Sequence, residues 1–272
     1  MKLFNRFFGL AAAAGVVAFG TTGASAETVL ITGSNQGIGL ALAKGYAAKG
    51  WTVIATHRRD TTPDTLAELE KKYPGKVRAE KMDVTSDAQI KALASKMKGQ
   101  PIDVLLNNAA LIRYAPVEDQ RPDGGNKGQL FGTLDYGQLD EFVHTNVAGP
   151  LKIAEAFIEN VRASKQKKII AISSAAGSVS MKPLGANHYW YYITKAAENQ
   201  AMHMLSVQFE KEPIIVASFH PGGVQVESFG NFKLQGFISP EEAAAKLIKV
   251  IDGLTKKDSG RFLKNDGTDH PW

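Results

Sequence analysis

Tyr191 and Lys195 are separated by one helical turn and could together perform acid–base chemistry. On a helix, residues i and i+4 lie on one face. A free tyrosine has a pKa of about 10 and is a poor base at neutral pH. An ammonium about 4 Å away would favour the tyrosinate by roughly 4 kcal/mol at an effective dielectric of about 20, or at most about three pKa units. An ordinary pair on a helix surface has the same spacing, so the interpretation depends on the other motifs.

A glycine-rich turn near the start of the chain indicates a dinucleotide site. Gly33, Gly37 and Gly39 follow a short apolar run and open a helical segment. Such glycines permit a tight turn, let the backbone approach a pyrophosphate, and let the helix pack close to the sheet. The N–H groups at the helix N-terminus then attract phosphates. A purely structural turn is the alternative, and the position between strand and helix favours the cofactor.

The residues after the second predicted strand bear on the choice of cofactor. In this kind of site, an acid about 20 residues after the glycine motif holds the ribose hydroxyls of NAD. No acid stands at residues 55–57, and Arg58 follows them. Because an arginine can face the 2′-phosphate of NADP, we predict NADP(H), with Arg58 as the principal contact. The alternative is a solvated arginine pair in a loop.

The elements that must position these groups alternate along the chain. Apolar, β-branched runs predict strands at residues 28–32, 52–56, 77–82, 102–106, 168–172, 214–219 and 260–263. Periodic segments predict helices at residues 38–48, 63–72, 87–97, 141–163, 193–210 and 240–254. Continuous apolar strands are typical of a parallel sheet that is covered on both faces. The pattern therefore predicts one α/β domain, a doubly wound parallel sheet of the Rossmann type, with a surface loop or lid at residues 113–137.

The first 26 residues have the layout of a secretory signal peptide. Lys2 and Arg6 precede an apolar run at residues 7–19, and Ala-Ser-Ala follows at 24–26. The run is shorter than the roughly 20 residues of a membrane span. We therefore expect a signal peptide at 1–26, a folded domain at 27–272, and a periplasmic or secreted protein. The alternatives are an uncleaved anchor and a wrongly chosen start codon, which would leave the protein in the cytoplasm.

Composition excludes several classes of protein. The absence of cysteine rules out disulfides, thiolate metal sites, iron–sulfur clusters and a cysteine nucleophile. With 44% hydrophobic and 22% charged residues, the chain is expected to fold around a core. The net charge of +5 is mild and the basic residues are scattered, so we expect no nucleic-acid partner. We also expect no membrane association once the signal is removed. His188, His203 and His220 lack metal-ligand spacing, and we expect core or surface roles for them and no metal.

Together these motifs resemble the short-chain dehydrogenase/reductase family over essentially all of residues 28–272. The remaining motifs that carry the resemblance are Asp83-Val84, Asn107-Asn108-Ala109-Ala110 with alanine in place of the family's final glycine, Asn146, Ile172-Ser173-Ser174, and Pro221-Gly222. The end of the chain, with Ser-Gly-Arg-Phe at 259–262 and Pro-Trp at 271–272, is similar to the C-factor-like carbonyl reductase subgroup.

The resemblance implies hydride transfer between NADP(H) and a carbonyl or secondary alcohol. Tyr191 would exchange a proton with the substrate oxygen, and Ser174 would hydrogen-bond that oxygen. Lys195 would hold the ribose and lower the pKa of Tyr191, and Asn146 would anchor a water that links Lys195 to solvent. The implied cofactor-binding residues are Gly33, Asn35, Gln36, Gly37, Ile38, Gly39, Arg58, Asp83, Val84, Asn108, Ala109, Tyr191, Lys195, Pro221, Gly222 and Val224.

Some features depart from the family or leave alternatives open. The gap between Ser174 and Tyr191 is longer than is often found, and Val226 stands where many members have a threonine that binds the carboxamide. Tyr189 and Tyr192 compete with Tyr191, but the spacing to Lys195 selects Tyr191. Trp190 and Tyr114 could line the substrate site or simply pack.

Two alternatives concern the protein as a whole. The helices predicted at 141–163 and 193–210 resemble those of the family's dimer interface, which implies a homodimer or homotetramer, with a monomer as the alternative. A non-catalytic dinucleotide-binding sensor or signalling protein would keep the same fold.

Overall fold

The computed structural model describes residues 26–113, 128–183, 188–227 and 235–272. The signal peptide predicted at 1–26 lies almost wholly outside these residues, as does Tyr114. The described part of the predicted loop at 113–137 contains turns and the start of a short 3-10 helix, Tyr136–Gln138. No helix in the described ranges combines the length and the apolar character that crossing a membrane requires.

A parallel sheet of seven strands forms the centre of the molecule. The strands are β1 Thr28–Ile31, β2 Thr52–His57, β3 Val77–Lys81, β4 Val104–Asn107, β5 Lys168–Ile172, β6 Ile215–His220 and β7 Phe262–Lys264. Their order across the sheet is β3-β2-β1-β4-β5-β6-β7, and every neighbouring pair is parallel. The predicted doubly wound parallel fold is confirmed.

The described part of the chain contains seven α-helices, most of which pack on the two faces of this sheet. They are α1 Gly37–Ala48, α2 Asp64–Lys72, α3 Asp87–Lys96, α4 Leu139–Val143, α5 Gly149–Arg162, α6 Tyr189–Gln208 and α7 Pro240–Gly253. One apolar core lies between the sheet and α1, α2 and α7, and the other lies between the sheet and α3, α5 and α6. Within β1, Val29 and Ile31 face the first core and Leu30 faces the second. Burial on both faces explains why β1, β4 and β5 are nearly unbroken apolar runs.

The helices predicted to begin at residues 87 and 240 do begin there, and a serine caps each of them. The Ser86 hydroxyl accepts a hydrogen bond from the Gln89 N–H at the start of α3. The Ser239 hydroxyl accepts one from the Glu242 N–H at the start of α7, where Pro240 occupies the first turn. These side chains satisfy N–H groups that have no partner within the helix.

The helix predicted at 141–163 is continuous but irregular. Between α4 and α5, His144–Ala148 forms a π-helical turn that contains Asn146. Pro150 stands four residues after Asn146 and has no N–H, so the regular α-helical bond to the Asn146 carbonyl cannot form. The wider turn sits where this bond is missing, and it brings Asn146 to the inner side of the helix, fully buried.

Helix α6 begins at Tyr189, four residues before the predicted start. His188 precedes it in a left-handed conformation with φ 58°. The Trp190 indole N–H lies 3.1 Å from the carbonyl oxygens of both Gly128 and Asp135. These long-range bonds hold the first turn in place, which periodicity alone could not indicate.

Candidate active site

The crevice of the molecule lies where the order of the strands reverses. The chain runs from β1 outward to β2 and β3, then returns to β4 on the other side of β1. The loops after β1 and β4 therefore leave the sheet in opposite directions, and open a gap at the carboxyl ends of the strands. Parallel α/β sheets bind ligands at this kind of switch point.

The turn after β1 is held by hydrogen bonds to the turn after β4. The Thr32 hydroxyl accepts from the backbone N–H groups of Asn108 and Ala109, both at 2.9 Å. The Asn108 amide donates to the carbonyls of Thr32 at 2.9 Å and Gly33 at 3.1 Å. The motif at 107–110 thus braces the glycine turn.

The glycines of this turn are required by its geometry. Gly33 and Gly37 have φ of 66° and 53°, in the left-handed region that glycine adopts without strain. A Cβ atom on Gly39 would collide with the Gly33 carbonyl oxygen. Without Cβ atoms at these positions, a ligand can approach the backbone at the N-terminus of α1 closely.

The N-terminus of α1 already binds a carboxylate. The Gly37 N–H donates to the Glu227 side chain at 3.1 Å, from the segment that follows β6. A negatively charged oxygen is stabilised there by the free N–H groups and the helix dipole. These donors and the close backbone approach fit a pyrophosphate, and thus a dinucleotide.

A cavity of about 880 Å3 joins this turn to the start of α6. Of the predicted catalytic side chains, Ser174, Tyr191 and Lys195 line it. Every residue predicted to bind the cofactor also lines it, namely Gly33, Asn35, Gln36, Gly37, Ile38, Gly39, Arg58, Asp83, Val84, Asn108, Ala109, Tyr191, Lys195, Pro221, Gly222 and Val224. Two elements far apart in the chain, the β1–α1 turn and α6, thus share one cavity.

The rim of the cavity beyond β2 is basic. Arg58 and Arg59 follow the strand directly, are exposed, and line the cavity. Asp83 lines the same region, where its carboxylate accepts hydrogen bonds from the Thr85 N–H and hydroxyl at 2.9 and 2.8 Å. That carboxylate shapes the local turn.

Lys195 is buried beneath Tyr191. Its ammonium donates to the Ile172 carbonyl at 3.0 Å and to the Glu198 carboxylate at 2.7 Å. The Lys195 nitrogen lies 6.0 Å from the centre of the Tyr191 ring, above one face of that ring. The Ser174 hydroxyl, at the end of β5, accepts from the Ala176 N–H at 3.2 Å.

Asn146 does not line the cavity. Its amide oxygen accepts from the Leu111 N–H at 2.7 Å, and its amide nitrogen donates to the Leu111 carbonyl at 2.9 Å and the Thr194 hydroxyl at 3.0 Å. The side chain therefore joins the segment after β4 to α6. Its predicted role with a water stays a prediction.

This strand order, this turn and this cavity can be compared with known proteins. The family model described as short chain dehydrogenase matches residues 27–235. The chain belongs to the short-chain dehydrogenase family. It is therefore an oxidoreductase of this class, which transfers hydride to or from a small molecule with a nicotinamide dinucleotide.

This short-chain dehydrogenase is similar to two characterised proteins and one crystal structure that we describe as examples. The 1-hydroxy-2-glutathionyl-2-methyl-3-butene dehydrogenase of Rhodococcus sp. (strain AD45) is 31% identical over 249 residues, which are 90% of this chain and 100% of that protein. The C-signal of Myxococcus xanthus is 27% identical over 183 residues, covering 67% of this chain and 100% of the relative. The crystal structure of NADPH-bound carbonyl reductase from chicken fatty liver superposes with a TM-score of 0.78 at 28% identity, covering 92% of this chain and 100% of that one.

Two histidines of this short-chain dehydrogenase lie nearer the site than expected. His188 and His220 both line the cavity, whereas core or surface roles were predicted for them. The His220 Nδ1 atom accepts from the Ala175 N–H at 3.1 Å. Burial, with smaller contributions from His270 and Lys264, lowers the pKa of His220 to about 4, so its ring is neutral at physiological pH. No group of His, Asp and Glu side chains in the described ranges is arranged to hold a metal ion.

The aromatic residues near Tyr191 divide between the cavity and the core. Tyr192 lines the cavity. Trp190 is buried and packs edge-on against Tyr136 at 5.4 Å, so of its two predicted roles the structure favours packing. The sequence motifs do not single out Glu198 as a site residue, although its spacing from Tyr191 and Lys195 places it on the same helix face.

Proposed function

We propose that this short-chain dehydrogenase is an NADP(H)-dependent reductase of carbonyl compounds, or a dehydrogenase of the corresponding secondary alcohols. The observation that carries the proposal is the shared cavity: Tyr191, Lys195 and Ser174 line the same space as the glycine turn and Arg58. When bound, the nicotinamide would exchange a hydride with the carbonyl carbon.

The side chains would divide the remaining work. Tyr191 would give a proton to the substrate oxygen during reduction and remove it during oxidation. Ser174 would donate a hydrogen bond to the same oxygen and stabilise the charge that develops on it. Lys195 would favour the tyrosinate and hold the ribose. The π turn supports the proposed water anchor at Asn146, because Pro150 cannot donate to the Asn146 carbonyl.

The preference for NADP(H) rests on the charges after β2. Arg58 and Arg59 are exposed there, and residues 55–57 hold no carboxylate to receive the ribose hydroxyls of NAD. The NADPH-bound carbonyl reductase from chicken fatty liver supports the same choice by similarity.

A panel of aldehydes and ketones, assayed with NADPH and with NADH, tests the proposal directly. We expect turnover with at least one carbonyl and a clear preference for NADPH. Equal use of both cofactors would contradict the assignment of Arg58. Cofactor binding without turnover on any member of a broad panel would favour the sensor alternative.

The N-terminal segment supports a further proposal about location. The basic, apolar and small-residue parts at 1–26 favour cleavage after Ala26, with export to the periplasm or the medium. N-terminal sequencing of the protein from each cell fraction would test it. A mature chain that begins with Met1 in the cytoplasm would contradict it.

Helix α6 supports the proposal of a homodimer or homotetramer. Ile193, Met204 and Val207 are 50%, 64% and 61% exposed and lie on one side of this helix. Exposed apolar side chains in a row are typical of a surface that is covered by a partner. Light scattering tests this, and a monomer at micromolar concentration would contradict it.

A further inference from the structure

The buried ion pair on α6 adds a third member to the predicted Tyr191–Lys195 pair. Tyr191, Lys195 and Glu198 occupy positions i, i+4 and i+7, and thus form a row along one side of the helix. The side chains of Lys195 and Glu198 are only 1% and 2% exposed. Their separation of 2.7 Å is typical of a charge-assisted hydrogen bond.

A carboxylate in this position is informative because burying it is unfavourable. An ionised carboxylate without a partner is strongly disfavoured in an apolar interior. Burial raises the pKa of Glu198, and the nearby Lys195 opposes this change. For Lys195, the attraction of Glu198 and Tyr191 outweighs burial and raises the pKa, which keeps the ammonium charged.

We propose that Glu198 is a positioning residue: it holds Lys195 against the Ile172 carbonyl, offsets part of its positive charge, and thereby sets the pH at which Tyr191 exchanges its proton. This inference rests on the proposed function of Tyr191 as the proton donor. In addition to that function, the negative charge of Glu198 would weaken the effect of Lys195 on the ionisation of Tyr191.

Few other charged groups face this row in the described part of the chain. The elements that pack against α6 include β6, the short turn Ala175–Gly177, the π turn and α4. Strand β6 contributes His220, which is neutral, and the short turn contributes no titratable side chain. The titratable residues of the π turn and α4 are exposed, namely His144, Asp140 and Glu141.

The other titratable groups near this row are His188, which precedes α6 and whose pKa is lowered by burial, and those of α6 itself. Those of α6 are Tyr189, Tyr192 and His203. His203 is exposed and its Nδ1 atom lies 3.3 Å from the Gly260 carbonyl oxygen, so it faces away from the row. The charges that act on Lys195 are those of Glu198 and Tyr191, and Lys195 alone acts on Glu198.

The direction of the effect follows from the signs of the charges. Removing the negative charge of Glu198 leaves the ammonium of Lys195 unopposed, and the tyrosinate form of Tyr191 is then more favourable. Glu198 stands seven positions after Tyr191, which corresponds to about 10.5 Å along the helix. A unit charge at that distance, with an effective dielectric of about 20, shifts a pKa by about one unit.

The test compares the titration of Tyr191 in the full protein and in Glu198→Gln. Glutamine keeps an oxygen that accepts from Lys195 but carries no charge. The readout is the ionisation of Tyr191 by tyrosinate absorbance, with Tyr191→Phe subtracted, in the absence of cofactor and substrate. We expect the titration in Glu198→Gln to lie about one pH unit lower, with the basic limb of kcat/KM for reduction shifted equally.

Two variants separate this role from a structural one. Glu198→Asp retains the charge, and we expect its Tyr191 titration to stay near that of the unmodified protein, even if its Tm falls. Glu242→Gln removes a carboxylate from an exposed pair with Lys246 on α7 and should not move the titration. A lower Tm in Glu198→Gln with an unchanged Tyr191 titration would overturn the proposal.

A further measurement uses the unmodified protein, so it can be made even if Glu198→Gln does not fold. The side-chain carboxyl 13C resonance of Glu198 in the unmodified protein reports whether it is ionised. The proposal requires a carboxylate at pH 7, and a protonated Glu198 at that pH would overturn it. Because the tyrosinate absorbance and the 13C resonance do not use turnover, failure of the carbonyl panel would contradict the proposed function and leave these two measurements decisive.

Discussion

Two walls of the cavity differ in the groups that they present to a ligand. One wall is formed by β1 and α1, and the other by β5 and α6. The first is made of backbone: glycines with positive φ, and N–H groups at a helix start. The second is made of side chains, with Tyr191 and Lys195 lining the cavity and Glu198 bonded to Lys195 behind them. A backbone wall suits a ligand with a constant shape, whereas a side-chain wall can tune the pKa of a reacting group.

The largest effect expected from this comparison is a loss of chemistry without a loss of binding. Tyr191→Phe removes the hydroxyl group that would exchange a proton with the substrate, and it leaves the backbone wall intact. We expect kcat/KM to fall by about 100- to 10,000-fold, with the Kd for NADPH unchanged. Steady-state kinetics and fluorescence titration measure the two quantities.

Tyr189→Phe is the matched control for this substitution, because Tyr189 does not share the spacing to Lys195. We expect near-normal turnover in this variant. Normal turnover in Tyr191→Phe would refute the role of Tyr191 and with it the division between the two walls.

The opposite effect is expected from a methyl group added to the backbone wall. In Gly39→Ala, the new Cβ would meet the Gly33 carbonyl oxygen, so the turn must move. We expect a loss of stability of about 1–3 kcal/mol and weak NADPH binding. Thermal unfolding and cofactor titration measure both.

Gly253→Ala is its control, since no atom stands within 4 Å of a Cβ at that position, near the end of α7. Alanine is favoured over glycine in helices by up to about 1 kcal/mol, so this variant should be neutral or slightly more stable. Normal cofactor affinity in Gly39→Ala would show that the turn is not the phosphate site.

The two walls also differ in how far they could be predicted from sequence. The glycine turn and the Tyr191–Lys195 pair are local patterns, in which spacing along the chain decides the geometry. The site of Asn146 depends on long-range bonds to Leu111 and Thr194, which no local pattern contains.

The start of α6 and the burial of Glu198 could not be predicted from local patterns, because both depend on packing. The start of α6 at Tyr189 depends on contacts of Trp190 with a distant segment. The spacing of Glu198 from Lys195 was visible in the sequence, but a charged residue at such a spacing is usually solvated. Only the packing of α6 against β6 and the turn Ala175–Gly177 shows that this pair is buried.

Arg58 provides a smaller and more selective test at the far end of the backbone wall. A hydrogen bond from a charged arginine contributes about 1.5–3 kcal/mol. We therefore expect Arg58→Gln to weaken NADPH binding by about 10- to 100-fold and to leave NADH binding nearly unchanged. Titrations with both cofactors at one salt concentration would measure this, and an equal loss for both would show that Arg58 does not read the 2′-phosphate.

The smallest effect concerns Glu227, a side chain that reaches into the backbone wall. Glu227 accepts a hydrogen bond from the Gly37 N–H, at the place where a phosphate would be stabilised. A bound dinucleotide must displace this carboxylate or lie beside it. Glu227→Gln should therefore tighten NADPH binding by roughly fivefold, which corresponds to ~1 kcal/mol, the scale of a charge at a helix terminus.

The matched control for Glu227→Gln is Glu241→Gln, which removes an exposed carboxylate that lies 3.9 Å from Lys44 of the same helix α1. Both variants change the net charge by the same amount, so only competition at the N-terminus of α1 distinguishes them. Weaker binding in Glu227→Gln would mean that the carboxylate supports the cofactor. Equal tightening in both variants would reduce the effect to general electrostatics.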